Sequence, residues 1–191
     1  MTARHDACVL AGGRARRLGG QDKPGLHVGG RPLVERVAAA VPGAERLIVV
    51  GAPRPGLPGA LFLREDPPGS GPVPALRAGM TAVAAPWVVL LAADLPFLTS
   101  GHVSALLDAA EGAAGAVLLD DEDRPQWLAG VWRTARLTRA LDDYEGRSLH
   151  GLLGPLEPVG LRLPGRPWFD CDTPDDLLRA GGDAPGTAAP A

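Results

Sequence analysis

One lysine occurs in the 191 residues, Lys23, and the other 18 of the 19 basic residues are arginine. It closes the segment Leu10-Ala11-Gly12-Gly13-Arg14-Ala15-Arg16-Arg17-Leu18-Gly19-Gly20-Gln21-Asp22-Lys23. An ammonium is a compact point charge with rotatable donors, and a guanidinium is a planar fork, so the two are not equivalent where a triphosphate is gripped at one point. The pairs Gly12-Gly13 and Gly19-Gly20 let backbone amides approach phosphate oxygens with no Cβ in the way. Arg14, Arg16 and Arg17 add positive charge beside them. The spacing is not that of the Walker loop, because Pro24 follows the lysine where that motif has Ser or Thr, and it is not the dinucleotide fingerprint. A glycine-rich turn after a strand is by itself equally well a chain reversal. With Asp22-Lys23 at its end it reads as the phosphate cradle of a nucleotide-using enzyme.

Carboxylates supply the second half of such chemistry. Asp94 stands just past the apolar run 87–93, at the carboxyl end of a buried strand, where open α/β sheets bind ligands. A carboxylate there can hold Mg²⁺, which prefers oxygen ligands and keeps waters and substrate phosphates in its shell; the competing reading is a residue that only turns the chain into helix 100–110. Asp170 and Asp172 flank Cys171 near the end of the chain. Thr173, Pro174 and Asp176 have the cap, first-turn proline and acidic third position of a helix start, so the neighbouring acids have a structural reading as well. Asp175 and Asp176 are read as dipole partners. The run Asp120–Asp123 reads as a solvated hairpin turn, and His150, after Ser148, as a surface or capping residue with no chemistry assigned.

These residues need elements to bring them together. Ala7 to Ala11 reads as a short buried strand that leads into the glycines. Residues 32–41 form an amphipathic helix, with Leu33, Val34, Val37 and Ala40 on one side. Strands follow at 47–50 and 60–63, a helix at 72–85, a buried strand at 87–93 and a helix at 100–110. Strands at 115–119 and 126–132 flank the acidic turn, and Ser148 opens a further helix. Buried strands alternating with helices predict a single α/β domain over residues 1–180, with a mostly parallel sheet covered on both faces. The tail 181–191, rich in Gly, Ala and Pro, is expected to be disordered.

Composition narrows the partners. The 46% hydrophobic and 21% charged fractions suit a soluble globular chain, and 191 residues can bury a real core. A net charge of −3 gives no basic surface for nucleic acid, and 4% aromatics give no base-stacking platform. No apolar run approaches the roughly 20 residues that span a bilayer, so no membrane partner is expected. Cys8 and Cys171 have no metal-like spacing and read as reduced thiols of a cytoplasmic protein without a signal segment.

The segment Leu10-Ala11-Gly12-Gly13, then Arg17, Gly19 and Asp22-Lys23, resembles the signature of the MobA-like nucleotidyltransferases, molybdenum cofactor guanylyltransferases of the nucleotide-diphospho-sugar transferase fold. The resemblance continues in order through Gly30-Arg31-Pro32-Leu33, Glu65-Asp66, Gly71-Pro72, Asp94-Leu95-Pro96-Phe97 and Asp172-Thr173-Pro174-Asp175-Asp176-Leu177, nearly the whole chain. It implies a three-layer α/β/α, Rossmann-like fold. It also implies catalytic roles for Lys23 and Arg17, and nucleotide contacts from Leu10, Ala11, Gly12, Gly13, Lys23, Asp66 and Asp94. Mg²⁺ would be the cofactor, held by Asp94 and Asp172. Family members usually carry Asn-x-Asn at positions 170 and 172, whereas this chain has no asparagine, so one or both aspartates complete the metal site or serve the helix start. Pro74-Ala75 departs from the small Ala-Gly that usually follows the Gly-Pro-Leu of the family. Gln126 to Arg133 resembles the strand near the second substrate, although its alternation also suits sheet core.

The reaction so implied is Mg-dependent transfer of GMP from GTP to the terminal phosphate of molybdopterin, with or without molybdenum, releasing pyrophosphate and forming the guanine dinucleotide cofactor. Transient contact with cofactor-delivering proteins would go with it. Rival readings are the same transfer from CTP, transfer to another small phosphate, and a nucleotide-binding regulatory or chaperone-like protein. Gly12 and Asp22 favour GTP, since relatives that use CTP tend to have Leu-Ala-Ala-Gly and no Asp before the lysine. Lys23 and Asp94 together argue against lost turnover.

Overall fold

Along the first strand, Ala7 and Val9 alternate with Cys8 and Leu10, and the two sets enter different cores. A strand buried on both faces can therefore be apolar throughout, as this one nearly is. The computed structural model describes residues 3–12 and 22–183. Gly13 and Arg17, both named as site candidates, lie outside the described residues, as does the chain after Asp183.

The strands are β1 (His5–Leu10), β2 (His27–Val28), β3 (Arg31–Pro32), β4 (Leu47–Val50), β5 (Leu61–Leu63), β6 (Trp87–Ala92), β7 (Gly115–Leu119), β8 (Pro125–Arg133) and β9 (Val159–Leu161). The helices are α1 (Leu33–Ala39), α2 (Pro72–Met80), α3 (Ser100–Ala109), α4 (Thr134–Asp142), α5 (Leu149–Leu153) and α6 (Pro174–Asp183). Seven strands form one sheet in the order β5-β4-β1-β6-β8-β7-β9, and β2 and β3 make a separate hairpin. β1 runs parallel to both β4 and β6, β5 parallel to β4, and β9 parallel to β7. Within the seven-stranded sheet of the described residues, β8 is antiparallel to both its neighbours, β6 and β7. The mostly parallel sheet expected from the sequence is present.

Three layers follow from the two faces. Val34 and Val37 of α1 and Val103, Leu106 and Leu107 of α3 pack on Ala7, Val9, Val49, Val89 and Leu91. On the other face Val73 and Leu76 of α2, Leu137 and Leu141 of α4 and Leu152 and Leu153 of α5 cover Cys8, Leu10, Val50, Val88 and Leu90. A third, smaller core joins Val28 and Leu33 to Phe169, Cys171 and Ala180. That core holds the chain just after Lys23 against the chain that carries Asp170 and Asp172.

The structure corrects the sequence reading in several places. The helix expected over 72–85 ends at Met80, where the Thr81 hydroxyl bonds back to the Ala78 carbonyl, 2.7 Å away. The amides of Ala84 and Ala85 donate instead to the buried carboxylate of Asp6, at 2.7 and 2.9 Å. In the acidic turn, Asp120 is buried rather than solvated, because it accepts from the amides of Glu122 and Arg124 and from the Arg124 guanidinium. α6 continues through Gly181, Gly182 and Asp183, three residues into the segment expected as tail. No helix of the described residues is long and apolar enough to cross a membrane.

Candidate active site

The carboxyl ends of β1 and β6 lie side by side, with Leu10 opposite Ala92 and the Ala93 amide 3.2 Å from the Leu10 carbonyl. The chain leaves them in Gly12 and in Asp94. Between these ends opens a cavity of about 480 Å³ lined by Leu10, Gly12, Lys23, Asp94 and Asp172 among others. Five of the sequence-derived candidates thus meet in one place. Ala11 is buried and does not line the cavity. Asp66 is exposed and is not among the lining residues.

Lys23 opens a short 3-10 turn, Lys23–Gly25, closed by the Gly25 amide on the Asp22 carbonyl at 3.0 Å. Its Nζ forms ion pairs with Asp94 Oδ2 and with Asp172 Oδ1, the latter at 2.5 Å. Lys23 and Asp94 are largely buried, with side-chain exposures of 16% and 15%, while Asp172 is half open at 47%. Desolvation is the largest single influence on the Lys23 ammonium and would lower its pKa. The charges and hydrogen bonds of Asp94 and Asp172 together outweigh it and hold the pKa raised. The ammonium stays charged, as a phosphate contact requires.

Asp172 reaches this spot because its segment is docked on the loop after β6. The Cys171 amide donates to the Asp94 carbonyl at 3.3 Å, and Phe169 packs on Phe97 with ring centres 5.5 Å apart. Asp170 comes with it, and Asp94, Asp170 and Asp172 each offer a carboxylate oxygen within 4.8 Å of the others. Partial desolvation, then the charges of Asp172 and Asp94, push the Asp170 carboxyl above the usual aspartate range. Oδ1 of Asp94 is buried and has no hydrogen-bond partner among the described residues. Three carboxylates against one ammonium, with a buried oxygen unsatisfied, form an oxygen donor set suited to Mg²⁺.

The sequence reading did not single out Glu65 as a site residue. It is 7% exposed, lines the cavity and accepts from the Gly69 amide at 2.8 Å, so it organises the turn that leads into α2. Its signal was available: an acid at the end of β5, before the Pro/Gly stretch, is at the same edge as the glycine loop. Leu128 also lines the cavity; it lies near the irregularity in β8, where the pairing with β7 slips between Val117 and Leu118. His150 packs its ring edge against Trp127, with centres 5.5 Å apart.

A cavity with clustered acids and one ammonium, at the carboxyl edge of a three-layer α/β sheet, stands where α/β proteins of this architecture bind their ligands. Comparison with known proteins makes this specific. Residues 7–159 match the MobA-like NTP transferase domain, and the chain belongs to that family. It is a nucleotidyltransferase. A molybdenum cofactor guanylyltransferase of Rhodobacter capsulatus is 33% identical over 181 residues, covering 90% of this chain and 92% of that protein. A probable molybdenum cofactor guanylyltransferase of Deinococcus radiodurans is 36% identical over 135 residues, 70% of this chain and 69% of that protein. The crystal structure of molybdopterin-guanine dinucleotide biosynthesis protein A from Archaeoglobus fulgidus superposes with a TM-score of 0.72, covering 93% and 97% of the two chains, and at 21% identity it speaks for the fold alone.

Proposed function

We propose that the enzyme transfers GMP from GTP to the terminal phosphate of molybdopterin, in the cytoplasm and with Mg²⁺. The observation that carries this reading is the meeting of Lys23, Asp94 and Asp172 on one cavity. The names of the two sequence relatives support molybdopterin as acceptor, and Gly12 and Asp22 support GTP over CTP.

An acceptor phosphate oxygen attacks the α-phosphorus of GTP. The bond from that phosphorus to the bridging oxygen breaks, and its electron pair leaves with pyrophosphate. The acceptor is itself the nucleophile, so no covalent enzyme intermediate is needed and the protein supplies alignment and charge compensation. Two of the three N–H donors of Lys23 go to Asp94 and Asp172, which leaves the third for a phosphate oxygen. Gly12 presents backbone with no side chain at the cavity wall. Asp94 and Asp172 would hold Mg²⁺, with Asp170 in reach, and Mg²⁺ when bound supplies a Lewis acid at the reacting phosphates. Glu65 and the turn it holds border the same cavity, and Asp66 beside it is assigned to the ribose or base. Arg17 is assigned to the triphosphate. Delivery of molybdopterin by transient contact with a carrier protein completes the reading.

The test is a competition: the enzyme, Mg²⁺ and molybdopterin with equal GTP and CTP, followed by chromatography of the product. The guanine dinucleotide as the dominant product is expected. The cytosine dinucleotide would move the donor to CTP, and no dinucleotide would remove molybdopterin as acceptor.

A further inference from the structure

Next to Lys23, Asp22 stands outside the acid cluster and is held by an arginine from another part of the chain. Nη1 and Nη2 of Arg54 pair with Oδ2 and Oδ1 of Asp22, a two-pronged carboxylate grip. Arg54 sits in the connection between β4 and β5, and its side chain is 16% exposed. Its loop is anchored through Leu57: the Leu57 amide donates to the Arg54 carbonyl at 3.1 Å, and buried Leu57 joins the first core. Nε of Arg54 is buried and has no partner among the described residues, so the Asp22 pair is the guanidinium's engagement with charge here. Gly25 closes the arrangement. A Cβ there would lie 2.5 Å from Asp22 Oδ2 and 2.9 Å from Arg54 Nη1, so the turn that carries Lys23 wraps the ion pair with no space left over. Arg54 does not line the cavity.

We infer that Arg54 is a positioning residue for Lys23: by fixing Asp22 from the β4–β5 connection, it sets where the only ammonium side chain enters the cavity. A lysine side chain is long and rotatable, and its reach is decided by the backbone from which it springs. The 3-10 turn is three residues long and cannot fix itself. The third core holds the chain on the far side of Lys23, at Val28 and Leu33, and the Arg54 grip holds the near side. Asp22, which by resemblance marks a GTP user, thus acts through its bond to Arg54 and through the residue that follows it. The consequence for nucleotide binding rests on the reading of Lys23 as a triphosphate contact; the positional consequence does not.

Having a single lysine makes a direct test possible. With isotope-labelled lysine, the ligand-free protein gives one side-chain ammonium signal in the NMR spectrum, that of Lys23. Arg54→Ala and Asp22→Asn are each expected to move that signal away from its position in the unaltered protein. A signal that stays in place in both variants would overturn the inference. The second readout is equilibrium binding of GTP with Mg²⁺. Each variant is expected to weaken it about tenfold, the scale of one misplaced charge-assisted contact, and to weaken it no further in a Lys23→Ala background. Equal losses in both backgrounds would mean that Arg54 acts on nucleotide or fold independently of Lys23, against the inference. If the unaltered protein bound no GTP while the lysine signal moved as expected, the donor assignment would fail and the positioning role would stand.

Discussion

Among single residues, a few charges held at one sheet edge carry the proposed chemistry. Asp94 has one oxygen on Lys23 and the other buried without a partner among the described residues. Asp94→Asn keeps the shape but removes the charge. It is expected to lower the rate of nucleotidyl transfer about 10²–10³-fold, by comparison with loss of one preorganised electrostatic contact. Steady-state pyrophosphate release measures this, and a change of less than a few fold would remove Asp94 from the reacting centre. Lys23→Arg is predicted to behave as a poor substitute rather than a conservative one. A planar fork in place of a compact ammonium cannot satisfy two carboxylates and a phosphate from the same position.

At the scale of elements, close packing fixes where the cavity walls stand. Gly79 of α2 faces β1 and β4: a Cβ there would collide with Cys8 Sγ and lie 3.0 Å from Val50 Cγ2. Gly79→Ala therefore pushes α2, whose first turn lines the cavity, off the sheet. A loss of about 1–3 kcal/mol in urea-induced unfolding is expected. The start of α6 gives a pH-dependent prediction. Thr173 and Asp176 exchange hydrogen bonds in both directions, from the Thr173 amide and hydroxyl to the carboxylate and from the Asp176 amide to the hydroxyl. The Thr173 hydroxyl bond, with burial working against it, holds the Asp176 carboxyl below the usual aspartate range. A depressed folded value stabilises above the unfolded pKa of about 3.9, and the gain is lost as pH falls through the folded value. Thr173→Ala should cost about 1 kcal/mol at neutral pH. In thermal melts, the gap to the unaltered protein should shrink once the pH drops below about 3.9.

The same elements show what could be read in advance. β1, β4 and β6 were legible because a strand buried on both faces is a run of apolar residues bounded by turn residues. α4 was not recognised, although Leu137 and Leu141 stand four apart with no Gly or Pro between Thr134 and Asp142; they are its only fully packed side chains. β9 carries no local signal in three residues with a central glycine, and only its parallel partner β7 makes it a strand. The meeting of Lys23 with Asp94 followed from both leaving the same sheet edge. The arrival of Asp172 depended on the third core and on the docking of Phe169 against Phe97, long-range contacts that no local pattern encodes. The burial of Asp120 has a different, local cause: the amides of Glu122 and Arg124 in the turn decide it, and its charge count does not.

For the molecule as a whole, both thiols belong to the packing and not to the chemistry. Cys8 and Cys171 are free and buried, and burial pushes each thiol up to about 12. The native protein is expected to be inert to a thiol-specific chromogenic reagent at mildly alkaline pH, and unfolding should release both groups. A thiol that titrates in the native state would contradict the packing described for the second or third core. The antiparallel β8 also has a consequence at this scale. It brings its amino-terminal end, with Leu128, to the edge where the parallel strands end, so one cavity is walled by both the parallel and the antiparallel parts of the sheet. Under the proposed function, that common wall would give a donor triphosphate and an acceptor phosphate a single place to meet.

Pyrophosphate release from GTP with Mg²⁺ and molybdopterin decides whether Lys23 and Asp94 serve one reacting centre, as the proposed function requires. The unaltered enzyme, Lys23→Ala, Asp94→Ala and the double variant should be compared at saturating acceptor. Release by the unaltered enzyme is expected, with a loss of about 10²–10³-fold in each single variant and a double variant little worse than either, because the two groups act as a unit. Full activity in either single variant, or losses that multiply in the double, would contradict it.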